Sequence, residues 1–225
     1  MSEIILYHGS DQIVERPERG KGKPYNDYGQ GSYCTAHREL ACEWASKSVG
    51  VDGFVNQYRL DTTGLTELDL TGYSILHWMT MLVQHRTFAL TNDISVAAKE
   101  YLIEHFTIDT SGCDIISGYR ADDSYFSFAA DFLNNTISVQ HLAQAMKLGD
   151  LGIQHVLVSE KAFKQLEFIR ADVVGNQEYH ARYSNRDKAA RSQYKKSRKN
   201  GIAGKDDVFI VDLLRGSVDY GDIRL

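Results

Sequence analysis

The sequence contains little proline, little cysteine and no long apolar run. Its 225 residues include 2 prolines and 3 cysteines, and the cysteines (Cys34, Cys42 and Cys113) show neither a CxxC pair nor a Cys/His zinc spacing. We therefore expect reduced thiols and no structural metal. No apolar stretch approaches the ~20 residues of a membrane-spanning helix, and the first residues do not resemble a signal peptide. These absences predict a cytoplasmic protein with no membrane partner.

Both common nucleotide-binding loops are also missing. No GxGxxG follows the first predicted strand, and no GxxxxGK followed by Ser or Thr occurs. Short strands are predicted at 4–7, 32–35, 54–60, 65–70, 113–117, 153–158, 167–174 and 207–214. Helices are predicted at 37–49, 73–88, 94–106, 122–133, 139–147, 160–166 and in the basic segment described next. This irregular order favours an α+β fold, with a split or two-layer antiparallel sheet and helical insertions.

The net charge of −5 conceals an asymmetry. From Arg182 to Asn200 the chain carries eight basic residues and one acidic residue, a net charge of +7 against −12 for the rest. Such a segment is commonly a solvated, partly disordered linker or helix face. It is also typical of a contact for nucleic acid or another polyanion, and we expect an acceptor or partner to bind there.

The first motif of interest is Tyr7-His8-Gly9-Ser10, where the first predicted strand runs into a turn. A histidine at this position places its polar edge at the rim of a sheet. Gly9 would let the backbone come close to a ligand. A histidine in a strand turn is also common as a structural residue, so the motif alone leaves both roles open.

Two further motifs lie later in the chain. Gly29 and Gly31 precede Tyr33 in a predicted strand, and Trp44 follows in a predicted helix. The two aromatic rings could hold a flat ligand between them, although two core aromatics would show the same pattern. Gln154 opens an otherwise apolar strand, as a side chain at the mouth of a pocket would.

Together these motifs resemble the ADP-ribosyltransferase superfamily, in the branch marked by a His, a Tyr and a third polar residue, usually Glu. Tyr7-His8-Gly9-Ser10 resembles the Tyr-His-Gly-Ser/Thr element of that branch. The segment from Gly31 to Thr35 resembles its Gly-x-Tyr-Phe-Ala/Thr element. Trp44 stands at the position of the second aromatic residue, and Gln154 stands at the position of the catalytic Glu.

More narrowly, the chain resembles a bacterial family of ADP-ribosyltransferase-like domains of unknown function, over residues 4–174. Five segments in order carry this resemblance: the His-Gly-Ser opening, Asp27 to Thr35, Ala41 to Ala45, Val55 to Tyr58, and Asp114 to Asp123. It implies an NAD-binding domain at residues 1–174. Residues 175–225 are then expected to form a basic helical segment and a C-terminal strand packed on the same domain.

The resemblance implies that NAD is cleaved at the nicotinamide–ribose bond and that ADP-ribose is transferred, with no metal. His8 would donate a hydrogen bond to the adenosine ribose, and the backbone of Gly9 would hold the carboxamide. Tyr33 and Trp44 would enclose the nicotinamide. The implied residues are His8, Tyr33 and Gln154 for catalysis, and His8, Gly9, Ser10, Gly31, Tyr33, Thr35 and Trp44 for NAD binding.

Gln154 departs from the family pattern. An amide keeps the hydrogen bond of a Glu but carries no charge, and it cannot act as a general base. Asp122, Asp123 or Glu167 could supply the charge instead. The first two follow Arg120, and they are equally typical of a helix N-terminus.

The expected function is therefore mono-ADP-ribosylation of a protein or nucleic-acid acceptor. NAD glycohydrolysis, a weak NAD- or ADP-ribose-binding module and a purely structural interaction domain remain open. The resemblance also raises a toxin role with an inhibitory partner protein.

Overall fold

The computed structural model describes residues 2–121, 123–148, 152–200, 204 and 206–218. The strands are β1 (Glu3–Ser10), β2 (Ser32–Thr35), β3 (Gly53–Asp61), β4 (Glu67–Asp69), β5 (Ile115–Tyr119), β6 (Ile153–Leu157) and β7 (Leu166–Val174). The helices are α1 (Arg38–Ala45), α2 (Ile75–His85), α3 (Asp93–Phe106), α4 (Asp123–Leu133), α5 (Val139–Ala145), α6 (Glu160–Lys164), α7 (Asn176–Asn200) and α8 (Ile210–Leu214). A 3₁₀ turn at Leu70–Gly72 leads from β4 toward α2.

The strands form one sheet in the order β4-β5-β6-β2-β1-β3-β7. Every neighbouring pair is antiparallel except β4 and β5. The predicted α+β class with a mainly antiparallel sheet is confirmed. Long connections containing helices join strands that are neighbours in the sheet, which explains why the order of elements along the chain looked irregular.

The sheet is weakly joined at its centre. β1 pairs with β3 along its whole length, but it pairs with β2 only at Tyr7 and Thr35. Beyond that point, the Nδ1 atom of His8 lies 2.7 Å from the carbonyl oxygen of Tyr33, so a side chain makes the contact between the two strands. Past this contact β1 and β2 separate. The opening between them is a wedge lined by the end of β1 and the start of β2.

The main hydrophobic core lies on one face of the sheet, beneath α2 to α5. Its largest side chains, including Trp78, Tyr125 and Phe128, are almost completely buried. Residues of α7 and α8 join the same core: Tyr194, Ile210 and Leu213. The ring of Tyr194 stacks on that of Phe128 with the ring centroids 3.8 Å apart.

The strand predicted at 207–214 is wrong, because the chain forms α8 there. Ile210 and Leu213 are the buried positions, and they lie three residues apart. This is a helical spacing rather than the alternation of a strand. The carboxylate of Asp212 accepts a hydrogen bond from the backbone N–H of Phe209, which satisfies a donor at the start of the helix.

The basic segment is part of α7, so the helix predicted there is confirmed. α7 also begins before the basic residues, at Asn176, which is buried. Arginines on the side that faces the body pair with its acidic residues: Arg182 with Glu39, Arg186 with Glu43, and Arg198 with Asp131. Three of the eight basic residues of the segment therefore pair with the acidic body.

Three lysines of α7 differ from these arginines because they face solvent. Lys188, Lys195 and Lys196 are exposed, and within the described residues they make no ion pair. The side chain of Lys199 lies outside the described part of the chain. None of the described helices is long and apolar enough to cross a membrane.

Candidate functional site

A cavity of about 770 Å³ fills the wedge between β1 and β2. This volume is within the ~300–1,000 Å³ of small-molecule sites. The walls come from separate parts of the chain: the end of β1, the loop 11–31, the start of β2, α1, Arg86 and the segment after β5. Eight of the predicted site residues line it: His8, Gly9, Ser10, Gly31, Tyr33, Trp44, Arg120 and Gln154.

The charge of the cavity is opposite in sign to that of the whole chain. Among the described residues its basic side chains are Arg16, Lys21, Lys23, Lys47, Arg86 and Arg120. Its acidic side chains are Asp11, Glu18 and Asp27. A net positive cavity in a chain of net charge −5 favours an anionic ligand.

The loop that forms one wall is anchored by a buried asparagine. The side-chain amide of Asn56 donates to the carbonyl oxygens of His8 and Gln12, each at 3.3 Å, and its oxygen accepts from Val14 N–H at 2.8 Å. The hydroxyl of Tyr58 donates to the carbonyl oxygen of Val14 at 2.5 Å. The Val-Asn-x-Tyr segment of β3 thus anchors the cavity wall to β1, a role that its motif alone does not reveal.

The contact between His8 and Tyr33 determines the tautomer of the histidine. A carbonyl oxygen only accepts hydrogen bonds, so Nδ1 of His8 must carry the proton that it donates to Tyr33. Burial lowers the pKa of His8, which keeps the ring neutral at pH 7. Its Nε2 atom is then an acceptor. The expectation that His8 donates to a ribose is therefore replaced by one in which Nε2 accepts from a ribose hydroxyl.

Tyr33 forms a rigid wall of the cavity. Its hydroxyl donates to the carbonyl oxygen of Gly29 at 2.7 Å and accepts from Tyr28 N–H at 2.9 Å. Burial raises the pKa of Tyr33, so the hydroxyl keeps its proton. These contacts involve the hydroxyl, and the ring of Tyr33 remains part of the cavity lining.

The glycines of the site have packing roles that are not visible in the sequence. A Cβ on Gly9 would lie 1.8 Å from the carbonyl oxygen of Ala41 and 2.7 Å from the backbone nitrogen of Ala45, both in α1. A Cβ on Gly31 would lie 2.6 Å from Cγ1 of Val156 on β6. Both glycines are needed for close packing of the protein on itself, which is a sufficient reason for their presence.

Trp44 and Arg120 pack together in the cavity wall. The guanidinium carbon of Arg120 lies 4.2 Å from the centre of the Trp44 ring, which is a cation–π contact. One face of Trp44 is therefore already covered. Stacking of a ligand between Tyr33 and Trp44 stays a prediction, and it has to use the other face of Trp44 or displace Arg120.

Gln154 lies on the floor of the cavity rather than at its mouth, with 2% of its surface exposed. Its Nε2 atom lies 3.2 Å from Oδ2 of Asp27 and 3.3 Å from the carbonyl oxygen of Tyr119. Asp27 is also buried, and it accepts from Arg86 at 3.1 Å and from Ala121 N–H at 2.9 Å. The sequence placed Asp27 in a motif but gave it no role.

Ser10 and Thr35 are held by internal hydrogen bonds. The hydroxyl of Ser10 donates to Gln12 O at 2.5 Å and accepts from Asn56 at 3.1 Å. Thr35 is fully buried, and its hydroxyl accepts from His37 N–H at 3.2 Å, just before α1. Thr35 does not line the cavity. Its role in binding NAD stays a prediction, and in this structure its hydroxyl holds the backbone of His37 just before α1.

Of the acidic residues proposed from sequence to supply a charge beside Gln154, the structure places only the side chain of Glu167, which lies far from Gln154. Glu167 is exposed on β7 and pairs with Arg59 at 3.1 Å. β7 is four strands away from β6, or about 19 Å. Asp122 and the side chain of Asp123 lie outside the described residues. No group of three His, Cys, Asp or Glu side chains in the described ranges could hold a metal ion.

Comparison with known proteins gives a family. A family model described as a protein of unknown function (DUF3990) matches residues 4–168, and the chain belongs to this family. No curated protein and no solved structure matches the chain. The matched region contains every described residue that lines the cavity, whereas α7 and α8 lie beyond it.

Proposed function

We propose that this DUF3990 member is an NAD-dependent mono-ADP-ribosyltransferase of the ADP-ribosyltransferase-like fold. One observation carries the proposal. His8, Tyr33, Trp44 and Gln154, which come from four separate elements, line one positively charged cavity where β1 and β2 separate. The single paired position between β1 and β2 supports a sheet that works as two halves with a ligand between them.

The cavity suits the different groups of NAD in different ways. Its arginines and lysines complement the negative charge of the pyrophosphate. The aromatic wall of Tyr33 complements the flat nicotinamide ring. Nε2 of His8 and the amide of Gln154 offer hydrogen bonds to ribose hydroxyls.

The proposed reaction breaks the bond between the nicotinamide nitrogen and C1′ of the ribose. The bonding electron pair leaves with nicotinamide, and the acceptor attacks C1′ with a lone pair and loses a proton. Positive charge develops on the ribose during this step. Rigid positioning and nearby negative charge therefore accelerate it more than a strong nucleophile would.

The first prediction concerns nicotinamide release from NAD. We expect the purified protein to release nicotinamide when a cell extract supplies acceptors, and to release little in buffer. Tyr33→Leu should lower the rate up to about tenfold, because an aromatic stacking contact is lost. Tyr33→Phe, which keeps the ring, should retain most of it. Release and label transfer from radioactive NAD are the measurements.

Tyr25→Leu is the matched control, since Tyr25 is 75% exposed and should be neutral. Equal release with and without extract would identify a glycohydrolase. A rise in melting temperature with NAD, but no release, would identify a binding module. Neither release nor a thermal shift would reject the proposed function.

The second prediction concerns the acceptor. Lys188, Lys195 and Lys196 form an exposed basic stripe beside a shallow groove on α7. Changing all three to Gln should lower acceptor modification severalfold and flatten its salt dependence, because fewer counterions are released on contact. Nicotinamide release into water should stay unchanged. The control variant changes Lys99, Lys147 and Lys164 to Gln. An equal loss of acceptor modification in that variant would contradict a specific role for α7.

A further inference from the structure

We infer that Asp27 supplies the negative charge that Gln154 lacks, and that the two side chains act as one unit on the cationic nicotinamide–ribose end of NAD. This inference rests on the proposed function. Asp27 is a positioning residue here: it orients the amide of Gln154 and places a carboxylate beside it. The two residues lie far apart in the sequence and meet only in the cavity.

Asp27 is surrounded by hydrogen-bond donors. Its Oδ1 accepts from Arg86, and its Oδ2 accepts from Ala121 N–H and from Nε2 of Gln154. Its observed partners include no acceptor for a proton of its own. A protonated carboxyl group would find no acceptor for its O–H among these partners, so the contacts favour the carboxylate.

This carboxylate also determines how the amide of Gln154 is turned. Nε2 faces Oδ2 of Asp27 and the carbonyl oxygen of Tyr119, both acceptors. The opposite orientation would place Oε1 of Gln154 against two acceptors. Within the described residues Oε1 has no hydrogen-bond partner, so it can accept from a ribose hydroxyl. The pair thus offers an acceptor oxygen and an adjacent negative charge, which a single Glu would otherwise combine.

Arg86 lies on the Oδ1 side of Asp27, whereas Gln154 lies on the Oδ2 side. The arginine reduces the field of the carboxylate at a distance but does not cancel it beside Gln154, since Coulomb interactions depend on distance. Asp27 therefore attracts a ligand cation near Gln154, against the opposing charges of Arg86 and Arg120, and Asp27→Asn removes this attraction. The nicotinamide ring is positive in NAD and neutral in NADH, so the two nucleotides distinguish this charge from a contact that depends on shape alone.

The test compares the dissociation constants of NAD and NADH by calorimetry at pH 7.5. The wild-type protein should bind NAD about tenfold more tightly than NADH. Asp27→Asn should remove most of this preference by weakening NAD and leaving NADH almost unchanged. Asp109→Asn, at an exposed carboxylate, should keep the preference.

The decisive variant exchanges the two groups. Gln154→Glu alone places two carboxylates in contact, so one of them should stay protonated near neutral pH and the NAD preference should change little. The preference should rise only at a higher pH, where both carboxylates ionise. Asp27→Asn combined with Gln154→Glu restores one carboxylate and one amide. It should recover the NAD preference and at least part of the nicotinamide release. A purely structural role for Asp27 predicts no such recovery.

A pH titration of the wild-type protein keeps the inference testable if Asp27→Asn fails to fold. Burial raises the pKa of Asp27. The NAD preference should therefore disappear on acidification at a higher pH than the ~4 of an exposed carboxylate. The other charged or titratable groups around it are Arg86, Arg120, Tyr28, Tyr33 and His8. His8 also takes up a proton on acidification. The same titration of His8→Asn therefore separates its contribution from that of Asp27.

Each outcome separates the inference from the proposed function. A preference for NAD that depends on Asp27, without nicotinamide release in any condition, would support the proposed role of the Asp27 charge and contradict the proposed transferase function. Equal affinities for NAD and NADH in the wild-type protein, or equal losses of both in Asp27→Asn, would overturn the inference and leave the transferase standing if release is seen. Binding of neither nucleotide would overturn both.

Discussion

Replacing Gly9 with alanine is expected to destabilise the protein by about 3 kcal/mol. The new Cβ would lie 1.8 Å from the carbonyl oxygen of Ala41, and this backbone atom cannot rotate away. β1 and α1 must then move apart. A cost of this size lowers the melting temperature by roughly 6–12 °C in a chain of this length. Thermal and urea unfolding of the variant measure it.

Gly112→Ala is the matched control. A Cβ there meets nothing within 4 Å, so its effect should stay within about 0.5 kcal/mol. If the Gly9→Ala variant is as stable as the wild-type protein but binds NAD more weakly, Gly9 serves the close approach to a ligand that its motif predicts.

His8 provides the second large effect, and two substitutions separate its two ring nitrogens. His8→Asn can keep a donor near the carbonyl oxygen of Tyr33 but loses the Nε2 acceptor. We expect its melting temperature to stay close to that of the wild-type protein and its affinity for NAD to fall about tenfold or more. His8→Gln should retain more affinity and lose the contact that joins β1 to β2. Equal behaviour of the two variants would contradict separate roles for the two nitrogens.

The pKa of His8 gives this prediction a pH dependence. Burial holds the pKa of the folded histidine below its ordinary value. As pH falls below ~6.5, the unfolded chain takes up a proton before the folded protein does, so the free energy of unfolding decreases. His8→Asn should remove part of this loss between pH 7.5 and 5.5. His77, His85, His141 and His155 also have lowered pKa values, so some loss should persist in the variant.

Most secondary structure was predictable because short-range patterns determine it. The alternation in β3 and the helical spacing in α2 and α3 depend on nearby residues, and the structure confirms these elements with shifted ends. The secondary structure of residues 207–214 was harder to predict from the sequence. Its short apolar run fits either a strand or a helix, and the burial of Ile210 and Leu213 against the main core favours the helix.

The sequence by itself identified the residues of the cavity that stand in recognisable local motifs, namely His8, Tyr33, Trp44 and Gln154. Only the tertiary structure decided what surrounds them. Asp27 reaches Gln154 because β6 pairs with β2 and the loop before β2 crosses its end. Gly9 is required because α1 packs closely on β1. Three arginines of α7 form ion pairs with acidic residues of α1 and α4. These contacts join residues distant in the chain, and local spacing carries no information about which of them meet.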